Sequence, residues 1–391
     1  MSERDRALDL LRRIEREQLY ASIALAGDSG LVRTIVLGVL RWRSLLDFAI
    51  ESLAERRLAK LDAVVVDILR IGIFQLRFMD VAKYAAVSET VELAGRHASR
   101  AKGFVNAILR RASERMPEPA DEATRLAHPR WLFDRWAREF GEQRARAIAE
   151  ANQQLSYPDA LVMGGPAPAG SSPSMLVPGV VKLTGGTSEL DRAAVYPMDE
   201  GSAVIAAIAS AAGEEVLDLA AAPGGKTLYM TSRGTRVTSN DVSISRLRPL
   251  IGRARRVVVS DARRPPFSRR FETVLLDAPC SATGTIRKNP ELKWRLREQD
   301  LESFATLQKE LLAAALRLAE KTCLYSTCSL EREENDAVVE EALRGSGEFT
   351  VEDIALYAPA AARAWVEGGV LRLTPDSGAD GFTAFALRRS K

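Results

Sequence analysis

Four short apolar runs recur between residues 216 and 277, and each ends at or near an aspartate. They are Val216-Leu217-Asp218-Leu219, Thr235 to Asp241, Arg256-Val257-Val258-Val259-Ser260-Asp261 and Thr273-Val274-Leu275-Leu276-Asp277. Runs of this length, separated by turns and helix-forming stretches, predict strands buried on both faces of a doubly wound α/β sheet. In such a sheet ligands bind at the carboxyl edge, so the terminal acids face that edge. Leu301 to Lys321 reads as a long helix, and Cys323-Leu324-Tyr325-Ser326-Thr327 as a further strand.

The first part of the chain has a different period. Leu61, Val64/Val65, Ile68/Leu69, Gly72 and Leu76 recur at the spacing of one buried helix face. A second helix is expected to open at Ser88 as N-cap, and a third to cover Gly103 to Arg111, with basic residues in its last turn. Met116-Pro117-Glu118-Pro119 breaks the pattern, a helical stretch resumes from Trp131 to about Gln154, and Gly164 to Gly179 is too rich in Pro, Gly and Ser for regular structure. Leu176-Val177 and Val180 to Leu183 suggest a small β connector. The expected organisation is an all-α helical bundle over 1–125, a helical and irregular connector over 126–195, and a Rossmann-like α/β domain with a mostly parallel sheet over 196–391.

Composition excludes several classes. Three cysteines in 391 residues argue against a disulfide framework. The charged start, Met1-Ser2-Glu3-Arg4-Asp5-Arg6, has no apolar signal core behind it, and no apolar run approaches the ~20 residues that span a bilayer. A soluble, cytoplasmic monomer with no membrane partner is expected. The two histidines, His97 and His128, lie far from any motif, and no Cys-x-x-Cys spacing exists, so no metal site is expected. The net charge is only +3, yet Arg246 to Arg270 holds nine arginines against one acid, Asp261, a local field suited to phosphates. Arginine far outnumbers lysine throughout the chain, so part of that cluster reflects composition.

Asp218 to Thr227 reads as strand, small-residue turn and helix start. The small residues Ala220, Ala221, Ala222, Pro223, Gly224 and Gly225 let the backbone approach a bound molecule, and free amides at a helix start receive a carboxylate. The turn lacks both Gly-x-Gly-x-x-Gly and phosphate-loop spacing. Asp241 is placed to bond ribose hydroxyls and Asp261 to meet an adenine edge. Cys280 and Cys328 sit at strand ends, whereas Cys323 looks like strand packing. A thiolate added at C6 of a pyrimidine would make C5 nucleophilic enough to be alkylated. A thiol has a pKa of ~8.5, and Lys226 is the nearest cation by motif logic. The residues alone do not rank the two cysteines.

Asp218 to Thr227, Asp277-Ala278-Pro279-Cys280-Ser281-Ala282-Thr283-Gly284, Arg287 to Trp294, and Tyr325-Ser326-Thr327-Cys328-Ser329 with Leu330 to Asn335 together resemble the RNA cytosine-5 methyltransferases of the RsmB (Sun, Fmu) family. Asp380-Gly381-Phe382 resembles its closing strand. Ile68 to Gly72 and Phe104 to Arg111 resemble its NusB-like RNA-binding domain. The resemblance implies S-adenosyl-L-methionine over Ala220 to Lys226, with Asp241 on the ribose and Asp261 near the adenine. It implies Cys328 as the nucleophile at C6 of a cytosine in RNA, Asp277 at the base near N3, and Cys280 in the release step. Small-subunit (16S) rRNA is the expected partner. Transfer RNA, or an RNA-binding protein without turnover, are the alternatives. Trp294 with Arg287, Lys288 and Lys293 could stack on and clamp the RNA strand, or Trp294 could be buried. Ala220 stands where many relatives have cysteine, Tyr157 to Leu161 lacks the usual Arg-Val-Asn segment, and Met198 to Ser202 keeps its pattern only in part.

Overall fold

The computed structural model describes residues 2–185, 190–191 and 193–390. The chain forms two compact units, Met1–Gln154 with Asn289–Arg295, and Leu155–Lys288 with Leu296–Lys391.

In the first unit the apolar positions of Glu3–Glu17, Gly30–Ala54, Ala63–Phe78, Lys83–His97 and Lys102–Glu114 close one core around Ile68, Leu69, Ile71, Leu93 and Ile108. The periodicity from Leu61 thus forms a helix from Ala63. The second expected helix starts earlier, at Lys83, and Ser88 lies inside it. Burial of Ala86 and Thr90 outweighs the capping tendency of a serine that would cut that face short. From Arg130 the chain forms two helices, Arg130–Phe140 and Glu142–Gln153, parted by Gly141 at φ 82°.

The second unit holds two sheets. The strands are β1 Asp159–Val162, β2 Ser172–Pro173, β3 Val180–Lys182, β4 Val195–Pro197, β5 Glu215–Asp218, β6 Arg236–Asp241, β7 Val257–Val259, β8 Phe271–Asp277, β9 Ala319–Thr327, β10 Phe349–Glu352, β11 Val366–Glu367, β12 Val370–Leu373 and β13 Phe382–Arg389. The first four make a small antiparallel sheet, in the order β2-β3-β1-β4. Leu176 and Val177, expected in a strand, are buried outside one. The other nine make the large sheet, in the order β11-β12-β13-β9-β8-β5-β6-β7, with β10 also on β13. β5 to β9 are parallel to their neighbours, and β13 returns antiparallel beside β9. One face packs on helices Glu200–Ala212 and Gly225–Ser232, the other on Asp300–Leu318.

The chain winds from β5 through β6 to β7 on one side, then crosses to β8 on the other. The crevice of such a sheet lies where the winding reverses, at the carboxyl ends of β5 and β8. No helix of the described residues is long and apolar enough to cross a membrane.

Candidate active site

Every expected site residue except Asp261 lies in or beside that crevice. Asp218 ends β5 and is fully buried; Thr227 Oγ1 donates to its Oδ2 at 2.7 Å, and Oδ1 has no hydrogen-bond partner. Burial pushes its carboxyl up to about 7, with Thr227 and Lys226 opposing. Ala220 to Gly225 form the turn. Gly224 holds φ 115°, and a Cβ there would lie 2.4 Å from Leu250 Cδ2, so only glycine fits. No side chain caps the helix Gly225–Ser232 that follows. Asp241, at the end of β6, accepts from Ala222 N at 3.1 Å and Ser243 N at 3.0 Å, which fixes the turn against the neighbouring strand.

These groups fit the cofactor the turn predicts. The open amides at the helix start suit a carboxylate, the partnerless Asp218 Oδ1 suits an ammonium, and the methionyl end of S-adenosylmethionine carries both. Asp261 is more exposed than the rest. Its carboxylate faces the Arg263 guanidinium at 2.7 Å, which holds it at about 2. An adenine-edge role would have to share that carboxylate with Arg263.

The second half of the crevice is built by β8 and β9. Their register sets Asp277 opposite Ser326, whose Oγ donates to Asp277 Oδ1 at 2.9 Å. Lys226 Nζ donates to Asp277 Oδ2 at 2.6 Å and to Ser202 Oγ at 2.6 Å, above the Phe382 ring. Burial would lower the lysine's pKa, but Asp277 and the other anions around it outweigh that and raise it. Lys226 is therefore a fixed cation: its hydrogen bonds go to Asp277 and Ser202, and the Cys328 thiol is also close enough to act on its charge.

Cys280 and Cys328 leave the carboxyl ends of β8 and β9, and their Sγ atoms lie 3.2 Å apart. The hydrogen bond its S–H makes to Cys328, then burial, push the Cys280 thiol well above its usual range. Cys323 is fully buried in β9, its thiol pushed up to about 12 by burial, so it packs as expected.

The four residues of the candidate RNA clamp all have partners within the protein. Lys288 Nζ lies 3.1 Å from Asp159 Oδ2 and 3.4 Å from Asp380 Oδ2 and also pairs with Asp199, while the buried Arg287 lies 3.8 Å from Asp380. Both cations are taken up by carboxylates. Lys293 and Trp294 belong to the helical unit, where Lys293 Nζ donates to Arg41 O and Ala127 O and Trp294 Nε1 donates to Leu40 O. The nine arginines of 246–270 are all exposed, but Arg269 pairs with Glu215 and Arg263 with Asp261 and Glu310. His97 contacts Asp5, and His128 is buried beside Leu126 O. Sequence reasoning gave no role to Ser202, Ser326 or Glu334. They lie within the quoted segments, but their roles were not legible because each acts on a partner distant in sequence.

A mostly parallel sheet of this order, a glycine turn at its switch point and acids ending its strands define a Rossmann-like methyltransferase with S-adenosylmethionine as cofactor. The chain belongs to the RsmB/F family: residues 205–388 match the family model described as 16S rRNA methyltransferase RsmB/F, and residues 1–114 match the NusB family. It is 33% identical to ribosomal RNA small subunit methyltransferase B of Thermus thermophilus, over 98% of this chain and 92% of that one. It is 30% identical to the enzyme of the same name from Escherichia coli O1:K1 / APEC, over 81% and 82%. Among solved structures, that of PH0851 superposes with a TM-score of 0.77 at 24% identity, covering 98% of this chain and 97% of that one, which establishes the shared fold.

Proposed function

We propose that this chain methylates C5 of a cytosine in RNA, with small-subunit rRNA as substrate, through a covalent bond between Cys328 and C6 of the base. The observation that carries the reading is the pair of sulfurs 3.2 Å apart at the ends of adjacent strands, beside the Asp277–Lys226 ion pair. The names of the Thermus and Escherichia relatives support rRNA as the class of substrate. S-adenosylmethionine, when bound, supplies a methyl group on a cationic sulfur.

Cys328 attacks as a thiolate, its sulfur bonding to C6 while the C5–C6 π electrons move onto the base. Asp277, held between Lys226 and Ser326, sits at the base near N3 and orients it, and the Lys226 cation offsets the negative charge that develops. In release, the C5–H electron pair re-forms the double bond and expels the Cys328 sulfur. Cys280 hands its proton to that departing sulfur and takes the C5 proton in return. A thiol with a raised pKa suits this exchange better than it suits attack. The base must leave its stack to be reached, which favours a loop or single strand.

The test is to incubate the protein with naked ribosomal and transfer RNAs and labelled cofactor, then map the product. 5-Methylcytosine in small-subunit rRNA is expected, and Cys328→Ala should abolish it while sparing cofactor affinity. Methyl on another atom, or residual turnover in Cys328→Ala, would contradict the reading.

A further inference from the structure

The loops that carry the two sulfurs share one buried partner. Cys280 and Cys328 are separated by 48 residues, and each is followed by a serine, Ser281 and Ser329. Both serines converge on one buried carboxylate, Glu334, which is 0% exposed. Its Oε2 accepts from Ser281 N at 2.9 Å and Gln308 Nε2 at 2.9 Å. Its Oε1 accepts from Ser329 Oγ at 2.6 Å and from Ser281 Oγ. Gln308 Nε2 also donates to Pro279 O at 2.9 Å, so the residues on both sides of Cys280 are tied to one point. Glu334 is itself referenced to β9, because its carbonyl accepts from Tyr325 OH at 2.5 Å. Asn335, next in the chain, donates to Ser329 O at 3.0 Å and accepts from Thr327 Oγ1 at 2.7 Å, tying down both sides of Cys328.

We infer that Glu334 is a positioning residue for the thiol pair, holding the Cys280 and Cys328 loops in the register that lets one sulfur attack and the other assist release. This rests on the cytosine-methylation reading for its purpose, though not for its geometry. The residue type follows from the donors. Four N–H and O–H groups point at the two oxygens, and a carboxylate is the side chain that accepts all four without offering a donor of its own. A glutamine would aim an NH₂ at one or more of them and push the loops apart.

The full-length protein allows a readout that does not depend on methylation. Thiols 3.2 Å apart need close only to ~2.05 Å to form a disulfide. With oxidised glutathione as oxidant, each molecule consumed yields two reduced glutathiones and one Cys280–Cys328 bond. The fraction bonded, read by mass spectrometry after alkylation, therefore reports how well the loops are held in register. Glu334→Gln should lower that equilibrium constant at least ~10-fold, the factor expected for losing a hydrogen bond to a charged group. It should also lower kcat by roughly 100-fold, as a misplacement of about 1 Å does, with KM for the cofactor unchanged. Ser281→Ala/Ser329→Ala, which leaves the carboxylate in place, should move both quantities in the same direction and carries the test if Glu334→Gln does not fold. A thiol equilibrium at the wild-type value in the folded variants would overturn the inference, even if methylation fell. If the wild-type protein methylated no RNA, the functional reading would fall while the thiol equilibrium still decided the role of Glu334.

Discussion

Asp218 shows how one buried group ties stability to pH. Its carboxyl titrates at about 7 in the fold against 3.8 when free, so between those values the fold holds a proton that the unfolded chain has released. The stabilisation this gives is fully present below pH 3.8 and is lost as pH rises through about 7. Without cofactor, stability should therefore fall from pH 5 to pH 8, Asp218 accounting for at most roughly 3 kcal/mol, and Asp218→Asn should flatten the slope in urea titrations. A slope unchanged in that variant would show that other groups carry it. Lys226 works in the opposite sense, since its removal leaves Asp277 half-buried without its cation. Lys226→Met should cost about 1–3 kcal/mol in denaturant unfolding and abolish turnover. The sequence revealed Lys226 and Asp277 as candidates but not their ion pair, because β5 and β8 are neighbours only once the sheet has formed.

At the scale of elements, two adjacent parallel strands, β8 and β9, bring Asp277 and the two cysteines together, and glycines let their loops meet. A Cβ on Gly284 would lie 2.5 Å from Gly381 O and 2.8 Å from Cys328 O. Gly284→Ala should therefore displace the Cys280 loop from the end of β9, lowering methylation by about tenfold or more with cofactor affinity intact. Equal loss of both would place the damage in the whole sheet. β5, β7, β8 and β9 were legible in the sequence as apolar runs, and β6 from its place in the strand–helix alternation. Less was legible toward the C-terminal end of the chain. β10 to β12 are short and lie near the sheet's far edge, and the serine-to-glutamate network depends on side chains up to 53 residues apart. The start of the Lys83–His97 helix was missed because a cap residue is a weaker signal than the core face it would interrupt.

At the scale of the whole molecule, the chain enters the second unit at Leu155, returns to the helical unit for Asn289–Arg295 and then goes back. No local pattern announces this return, since only long-range partners distinguish a buried lysine from an RNA-facing one. In the helical unit Ala21 N donates to Glu291 Oε1 at 3.0 Å, and Lys293, 1% exposed, satisfies two carbonyls. Lys293→Ala in the full chain should cost about 3 kcal/mol on unfolding, and a cost near zero would remove the anchoring role. The central claim remains the division of labour between two thiols, and the covalent intermediate tests it most directly. Cys280→Ala, incubated with cofactor and small-subunit rRNA and run on a denaturing gel, should accumulate a protein–RNA adduct that survives denaturant, and Cys280→Ala/Cys328→Ala should show none. Absence of the adduct in the single variant, or its persistence in the double, would contradict the assignment of attack to Cys328 and release to Cys280.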